Sequence, residues 1–263
     1  MSLCERIKFA ASKLFVEFFG TFVFTLLFCT GNSSIMLIGL WMLTIFCWRI
    51  SQSQLNPAVT LAYMFRHDSK KIHFSLGILM MGAQVAGAYV GALYVLFINM
   101  KLVAVYPYTT NNTVGGTNTV FPAIMQEIVG TFIFVLFFKI MTDERLHFSK
   151  ENAINCFVIA SAYVASRQIV NGATGAVATY GAVLNPALAI GIGLVSAINN
   201  PGALVWFWLF WLLPFGGSIC AIIFYRFVYL KTQLMIMKDE IHEEDQNLDD
   251  IAATMKGDGI LDD

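Results

Sequence analysis

Asn56-Pro57-Ala58 and Asn185-Pro186-Ala187 are the two tripeptides from which the rest of the chain can be read. Each lies in strongly apolar sequence, where an asparagine and a proline are both out of place. Proline lacks the N–H that a helix interior needs, yet it fits the first helical position. Asparagine is a strong N-cap. Each tripeptide therefore marks the start of a short helix, predicted over Ala58–Phe65 and Ala187–Ser196. Both starts close a hydrophobic run, so the chain enters a membrane and turns inside it. Non-helical backbone survives at that depth only when it is buried in protein or lines a watery cavity. Two helix N-termini then face each other with two Asn amides between them, an arrangement suited to a pore for small polar solutes. The alternative is a pair of ordinary helix starts.

Composition sets the setting for these turns. The 263 residues are 57% hydrophobic and only 13% charged, with a mean hydropathy of +0.68. Soluble domains carry about 25% charged residues, and a helical span needs about 20 mainly apolar ones. The chain is therefore read as an all-α polytopic membrane protein; no strand-length alternation suggests a barrel. Arg6, Lys8 and Lys13 lead into an apolar run too long for a signal-peptide core. Cys4, Cys29, Cys47, Cys156 and Cys220 have no metal-type spacing and read as free thiols.

Six spans are expected, at about 13–31, 35–50, 72–99, 121–141, 152–170 and 203–228. Gly77, Gly82, Gly87 and Gly91 give the third span the small-residue spacing of close helix approach. Residues 101–120 form a long polar loop, 143–151 a charged one, and 171–184 a Gly/Ala-rich approach to the second half-helix. Residues 230–263 hold ten acidic and three basic side chains, a net −7 against −1 for the whole chain. That tail reads either as a solvated end or as a short amphipathic segment that docks a partner.

Basic residues orient the spans. Arg6, Lys8 and Lys13, then Arg66, Lys70 and Lys71, then Arg145 and Lys150, then Lys231 and Lys238 all fall on one side. The opposite loops hold little beyond Lys101 and Arg167. Both termini are thus expected in the cytosol, in a plasma or an intracellular membrane. The glycosylation sequons Asn32-Ser33-Ser34 and Asn111-Asn112-Thr113 lie on the far side, the first too near the membrane for use.

An internal repeat runs through the body. Glu17-Phe18-Phe19-Gly20-Thr21-Phe22-Val23-Phe24 matches Glu127-Ile128-Val129-Gly130-Thr131-Phe132-Ile133-Phe134, Asn56 matches Asn185, and Gln84 matches Pro214. Three spans separate the copies, an odd number, so the second is inverted. Inverted repeats with broken helices put a site near the membrane midplane. Residues 1–229 are accordingly taken as one transmembrane domain, with repeats at about 13–100 and 121–229, and 230–263 as the tail.

Both Asn-Pro-Ala boxes, both Glu-x-x-Gly-Thr segments and Gln54-Leu55-Asn56-Pro57-Ala58-Val59-Thr60 stand in the order found in one family. Over about residues 13–229 the chain resembles the aquaporin, or major intrinsic protein, family. The resemblance implies six transmembrane helices plus two re-entrant half-helices in an inverted repeat, and a homotetramer with one pore per subunit. Three features depart from the usual pattern. Ser51-Gln52-Ser53-Gln54 replaces Ser-Gly-Ala-His before the first box, Leu188 replaces the Arg after the second, and Met36 takes the aromatic position of span two. Asn185-Pro186-Ala187-Leu188-Ala189, followed by Trp211-Leu212-Leu213-Pro214, looks most like the unorthodox intracellular, or superaquaporin, branch.

The resemblance assigns roles residue by residue. Asn56 and Asn185 would donate hydrogen bonds to a passing oxygen, and Pro57, Ala58, Pro186 and Ala187 would start and dock the half-helices. Half-helix N-termini carry about half a positive charge each, which repels cations and disfavours proton conduction. Glu17 and Glu127 would hydrogen-bond the re-entrant loops; the other reading puts them at the interface. Met36, Ala182 and Leu188 would line the outer constriction, with Ala173 the ungapped count for span five. Leu at 188 predicts a constriction more apolar than the family's usual one. Arg167, late in span five at the outer mouth, either replaces the missing Arg in part or snorkels to the interface.

No catalytic constellation competes with this. His67, His73, His147 and His242 all fall in loops or the tail, and the spans hold no carboxylate pair, metal set or activated nucleophile. No enzyme activity, cofactor, metal or nucleic-acid partner is expected. The expected function is passive transport of water and of small neutral solutes such as glycerol or peroxide. The alternative is a non-conducting structural subunit of a larger membrane complex. Membrane lipid and further copies of the chain are the expected partners.

Overall fold

The computed structural model describes residues 2–66, 72–99, 120–172, 182–199, 201–204 and 207–257. Lys70, Lys71 and His67, the loop at 101–119 with Lys101 and the sequon at Asn111, Ala173, and most of 171–184 lie outside the described residues. The chain divides into two compact units, residues 1–222 and 223–263.

The first unit is all helical among its described residues. It holds α1 (Leu3–Cys29), α2 (Ser33–Ser51), α3 (Pro57–Met64), α4 (Phe74–Asn99), α5 (Val120–Thr142), α6 (Asn152–Gly172), α7 (Pro186–Asn199) and most of α8 (Phe207–Phe224). A 3-10 turn at Pro201–Leu204 precedes α8. The second unit contains a π turn, Tyr225–Tyr229, and α9, Leu230–Gly257. The acidic stretch is thus helical as far as Gly257, with Leu234, Met235, Ile236 and Ile241 exposed on it.

Local signals explain the helix starts. α1 begins well before residue 13 because Ser2 and Glu5 form a reciprocal capping box: Ser2 Oγ accepts from the Glu5 N–H, and Glu5 Oε2 from the Ser2 N–H. The Asn32 side chain accepts from the N–H groups of Ser34 and Ile35 and starts α2 after a two-residue turn. α3 and α7 start at Pro57 and Pro186, one residue before the sequence-based boundaries.

Among the described residues five helices are long and apolar enough to cross a membrane: α1, α2, α4, α5 and the run from Phe207. α6 has the length, but its polar residues lower its apolar character. Asn155, Ser166 and Arg167 are buried in the bundle rather than turned outward.

Close packing without side chains holds each half together. A Cβ on Gly87 would meet the carbonyl oxygen of Phe18, and one on Gly91 that of Phe22, so α4 lies on the backbone of α1. Gly217 of α8 lies in the same way on the carbonyl oxygen of Ile128 in α5. Gly77 faces Met64, whereas nothing lies within 4 Å of a Cβ at Gly82, which is not a packing glycine here. The half-helices cross over. Gly191 of α7 packs on the backbone at Ala88 and Tyr89 of α4, and Ser218 of α8 donates to the Ala58 carbonyl of α3 at 2.6 Å.

Candidate functional site

Each box begins with an asparagine that caps its own helix and braces the other. Asn56 Oδ1 accepts from the Ala58 N–H at 2.8 Å, and Asn185 Oδ1 from the Ala187 N–H at 3.0 Å. Asn56 Nδ2 then donates to the Leu184 carbonyl at 2.8 Å, and Asn185 Nδ2 to the Leu55 carbonyl at 2.9 Å. The two braces are mirror copies, and both asparagines are at most 1% exposed. The N-termini of α3 and α7 are thereby held against each other.

The residue before each asparagine is forced into an unusual conformation to make this possible. Leu55 and Leu184 have φ of 48° and 55°, in the left-handed region that side chains with a Cβ rarely occupy. Glu17 and Glu127 hold them there. The Glu17 carboxylate accepts from the N–H groups of Gln54 (3.2 Å) and Leu55 (2.7 Å), and the Glu127 carboxylate from those of Val183 (2.7 Å) and Leu184 (2.9 Å). Both glutamates are fully buried, which places them inside the protein and not at an interface. Each strained leucine therefore has its N–H on a carboxylate and its C=O on the opposite asparagine. The glycine of each Glu-x-x-Gly segment has a physical use as well. A Cβ on Gly20 would collide with the Leu55 side chain, and one on Gly130 with Leu184. One helical turn therefore supplies both the carboxylate and the space.

The two halves differ in what supports the glutamate. Gln84 Nε2 donates to Glu17 Oε2 at 2.6 Å and lies 2.9 Å from Thr60 Oγ1. Pro214 and Ala189 stand at the matching positions of the second half and offer no side-chain donor. In the second half Tyr163 contributes instead: its hydroxyl donates to the Val183 carbonyl at 2.8 Å.

Arg167 meets two of the expected constriction positions. Met36, Ala182 and Leu188 are all buried. Arg167 is also buried, 5% exposed, and so does not snorkel. Its Nε donates to the Ala182 carbonyl at 2.7 Å, its Nη1 lies 3.0 Å from Met36 Sδ, and its guanidinium carbon is 4.1 Å from the Phe28 ring centroid. A buried guanidinium thus lies against Met36 and Ala182. Gln168 Nε2 donates to Ser33 Oγ at 2.7 Å and ties the same end of α6 to the start of α2.

Below Arg167 runs a column of rings. Tyr163 stands 5.0 Å from Phe24 and 5.1 Å from Phe134; Phe134 follows to Phe138 at 5.9 Å, and Phe138 to Tyr63 at 6.0 Å. All five are buried. At the far end the Arg66 guanidinium lies 4.9 Å from the Tyr63 ring and donates to Thr142 Oγ1. Arg66, expected from the sequence as a loop charge, is buried against α5 instead. A separate cavity of about 560 Å³ between α2 and α6, lined by residues such as Trp48, Arg49, Lys150 and Cys156, shares no residue with the boxes.

Leu55, Leu184, Tyr163 and Gln84 are parts of this site that the sequence does not single out. Gln84 carried one signal, a carboxamide in an apolar span. The leucines carried none, since leucine has no preference for their conformation. Among the described residues no cluster of three His, Cys, Asp or Glu could hold a metal.

Known proteins share this architecture. A family model described as Major intrinsic protein matches residues 4–225. Aquaporin PIP2-4 of Oryza sativa subsp. japonica is 28% identical over 213 residues, 80% of this chain and 64% of that protein. Aquaporin PIP1-1 of Musa acuminata is 29% identical over 219 residues, 80% of this chain and 64% of the relative. The chain thus spans just under two thirds of the length of these relatives. The structure of the aquaglyceroporin from Plasmodium falciparum superposes with a TM-score of 0.67 at 20% identity, covering 86% of this chain and 99% of that one.

Proposed function

The chain belongs to the major intrinsic protein family, and from that premise we propose that it is an integral-membrane channel for water and small neutral solutes. The observation that carries the reading is the mutual bracing of Asn56 and Asn185 across the ends of α3 and α7. Each carboxamide has two N–H groups; the brace uses one, and the second is offered to a passing oxygen. Both half-helix dipoles add positive potential at that level. A water held there donates to neither asparagine and cannot relay a proton past them. Pro57, Ala58, Pro186 and Ala187 start the half-helices, and Met36, Ala182 and Leu188 line the narrow outer passage. By family membership the protein is read as a homotetramer with one path per subunit, with both termini cytosolic. Water, glycerol and peroxide are the candidate solutes; the relatives' names support water, and the Plasmodium neighbour supports the fold.

The column from Phe24 and Tyr163 to Tyr63 favours a second reading, a non-conducting subunit of a larger membrane complex. Apolar constrictions gate by dewetting, and a fully buried ring stack of this kind slows water. One experiment separates the two. Purified protein in liposomes is given an osmotic step, and vesicle volume is followed by stopped-flow light scattering with water, glycerol and peroxide as permeants. Faster relaxation than lipid alone for any of the three supports the channel. Relaxation equal to lipid for all three supports the structural subunit.

A further inference from the structure

Position 188 holds a leucine, which brings neither charge nor donor to the constriction. Three elements nonetheless converge on one cation there. Met36 at the start of α2 presents its sulfur, the backbone ahead of α7 presents the Ala182 carbonyl, and Phe28 at the end of α1 presents its ring face. All three are electron-rich, and together they orient the Arg167 guanidinium of α6. Two of these residues, Met36 and Ala182, are positions at which the constriction is expected. We infer that Arg167 supplies, from α6, the positive charge and planar donor set that position 188 lacks, and so sets the selectivity of the outer constriction. The inference rests on the channel reading.

The physical content is a difference between charge and glue. A guanidinium that only tied α6 to α2 would contribute stability and leave selectivity alone. One placed at the narrowest point raises the energy of any cation in the passage, because a fixed charge acts strongly where water is scarce. Its fixed fork also orients small polar solutes in a way a lysine ammonium does not.

The test uses the full chain in liposomes, reading osmotic water and glycerol flux beside sodium uptake. Arg167→Gln is expected to raise sodium leak, measured relative to that variant's own neutral-solute flux, about tenfold or more. Arg167→Lys is expected to retain exclusion, and Arg167→Gln with Leu188→Arg to return the leak to the wild-type level. A conducting Arg167→Gln protein with unchanged leak overturns the inference and leaves the channel reading intact. A wild type that passes no solute overturns both. If Arg167→Gln does not fold, Leu188→Cys with Arg167 in place decides. Its thiol is expected to favour an anionic methanethiosulfonate over a cationic one, relative to free cysteine. Equal preference to free cysteine, or no reaction in a conducting protein, overturns the inference.

Discussion

Asn56 and Leu184 lie 128 residues apart in the chain, yet the asparagine Nδ2 is 2.8 Å from the leucine carbonyl oxygen. The bond joins the two repeats where their half-helices begin, and Asn185 repeats it on Leu55. The brace needs a donor on one side and a left-handed carbonyl on the other.

Asn56→Asp tests the donor. Aspartate still caps α3 through an oxygen, but it sets a carboxylate oxygen against the Leu184 carbonyl. A buried acceptor then loses its partner, which costs about 1–3 kcal/mol, and the negative charge adds to it. The expected outcome is a lower unfolding midpoint in detergent together with reduced solute flux. Asn185→Asp should behave alike by the symmetry of the brace; an unaltered midpoint in both would contradict it.

Gln84→Leu tests the asymmetry between the halves. Glu17 loses the 2.6 Å bond from Gln84, and Thr60 loses its neighbour. A loss of about 1–3 kcal/mol is expected. The fold should survive, since Glu127 works opposite Pro214 and Ala189 without such a donor. Circular dichroism against temperature reads this directly, with retained helix content at low temperature.

Gly87→Ala and Gly82→Ala form a matched pair. The first drives a methyl into the Phe18 carbonyl and is expected to separate α1 from α4, at an overpacking cost of about 1–3 kcal/mol. The second meets nothing within 4 Å and is expected to be neutral or slightly stabilising, because alanine is the better helix former. Equal midpoints for the two variants would mean that the helix contact is misassigned.

Gln52→Gly is expected to stabilise. Gln52 ends α2 with φ of 64°, a conformation that costs a residue with a Cβ about 1–2 kcal/mol. Glycine adopts it freely and is the usual residue after a helix end. The midpoint should rise while solute flux is unchanged; a fall would point to a role for the Gln52 side chain.

Much of the frame is legible in the sequence because it is written in residues with strong local preferences. Asn followed by Pro fixes the starts of α3 and α7 to within one residue, and long apolar runs locate α2, α4 and α5. The early start of α1 is legible too, in Ser2 and Glu5, but only if a capping box is sought beyond the apolar run. α6 is harder. An arginine near the end of a span fits equally well whether it reaches out to the interface or turns inward, and only packing against Phe28, Met36 and Ala182 decides. The low apolar character of α6 was the available hint. The left-handed backbone at Leu55 and Leu184 leaves no trace in composition, since it is imposed by Glu17, Glu127 and the opposing asparagines.

The cross-brace also orders the protein's biosynthesis. Asn56 and the Leu55 carbonyl emerge from the ribosome long before Leu184 and Asn185, the groups that complete them. At elongation rates of 5–20 residues per second the delay is on the order of ten seconds. Throughout it, Asn56 Nδ2 and the Leu55 carbonyl lack the partners that Leu184 and Asn185 later bring, at a depth where lipid offers none. It must therefore wait in water or in the insertion machinery, and settle only when the second box arrives. Nascent chains halted before residue 184 should accordingly leave cysteines placed beside Asn56 open to water-soluble thiol reagents, and chains released past α7 should shield them.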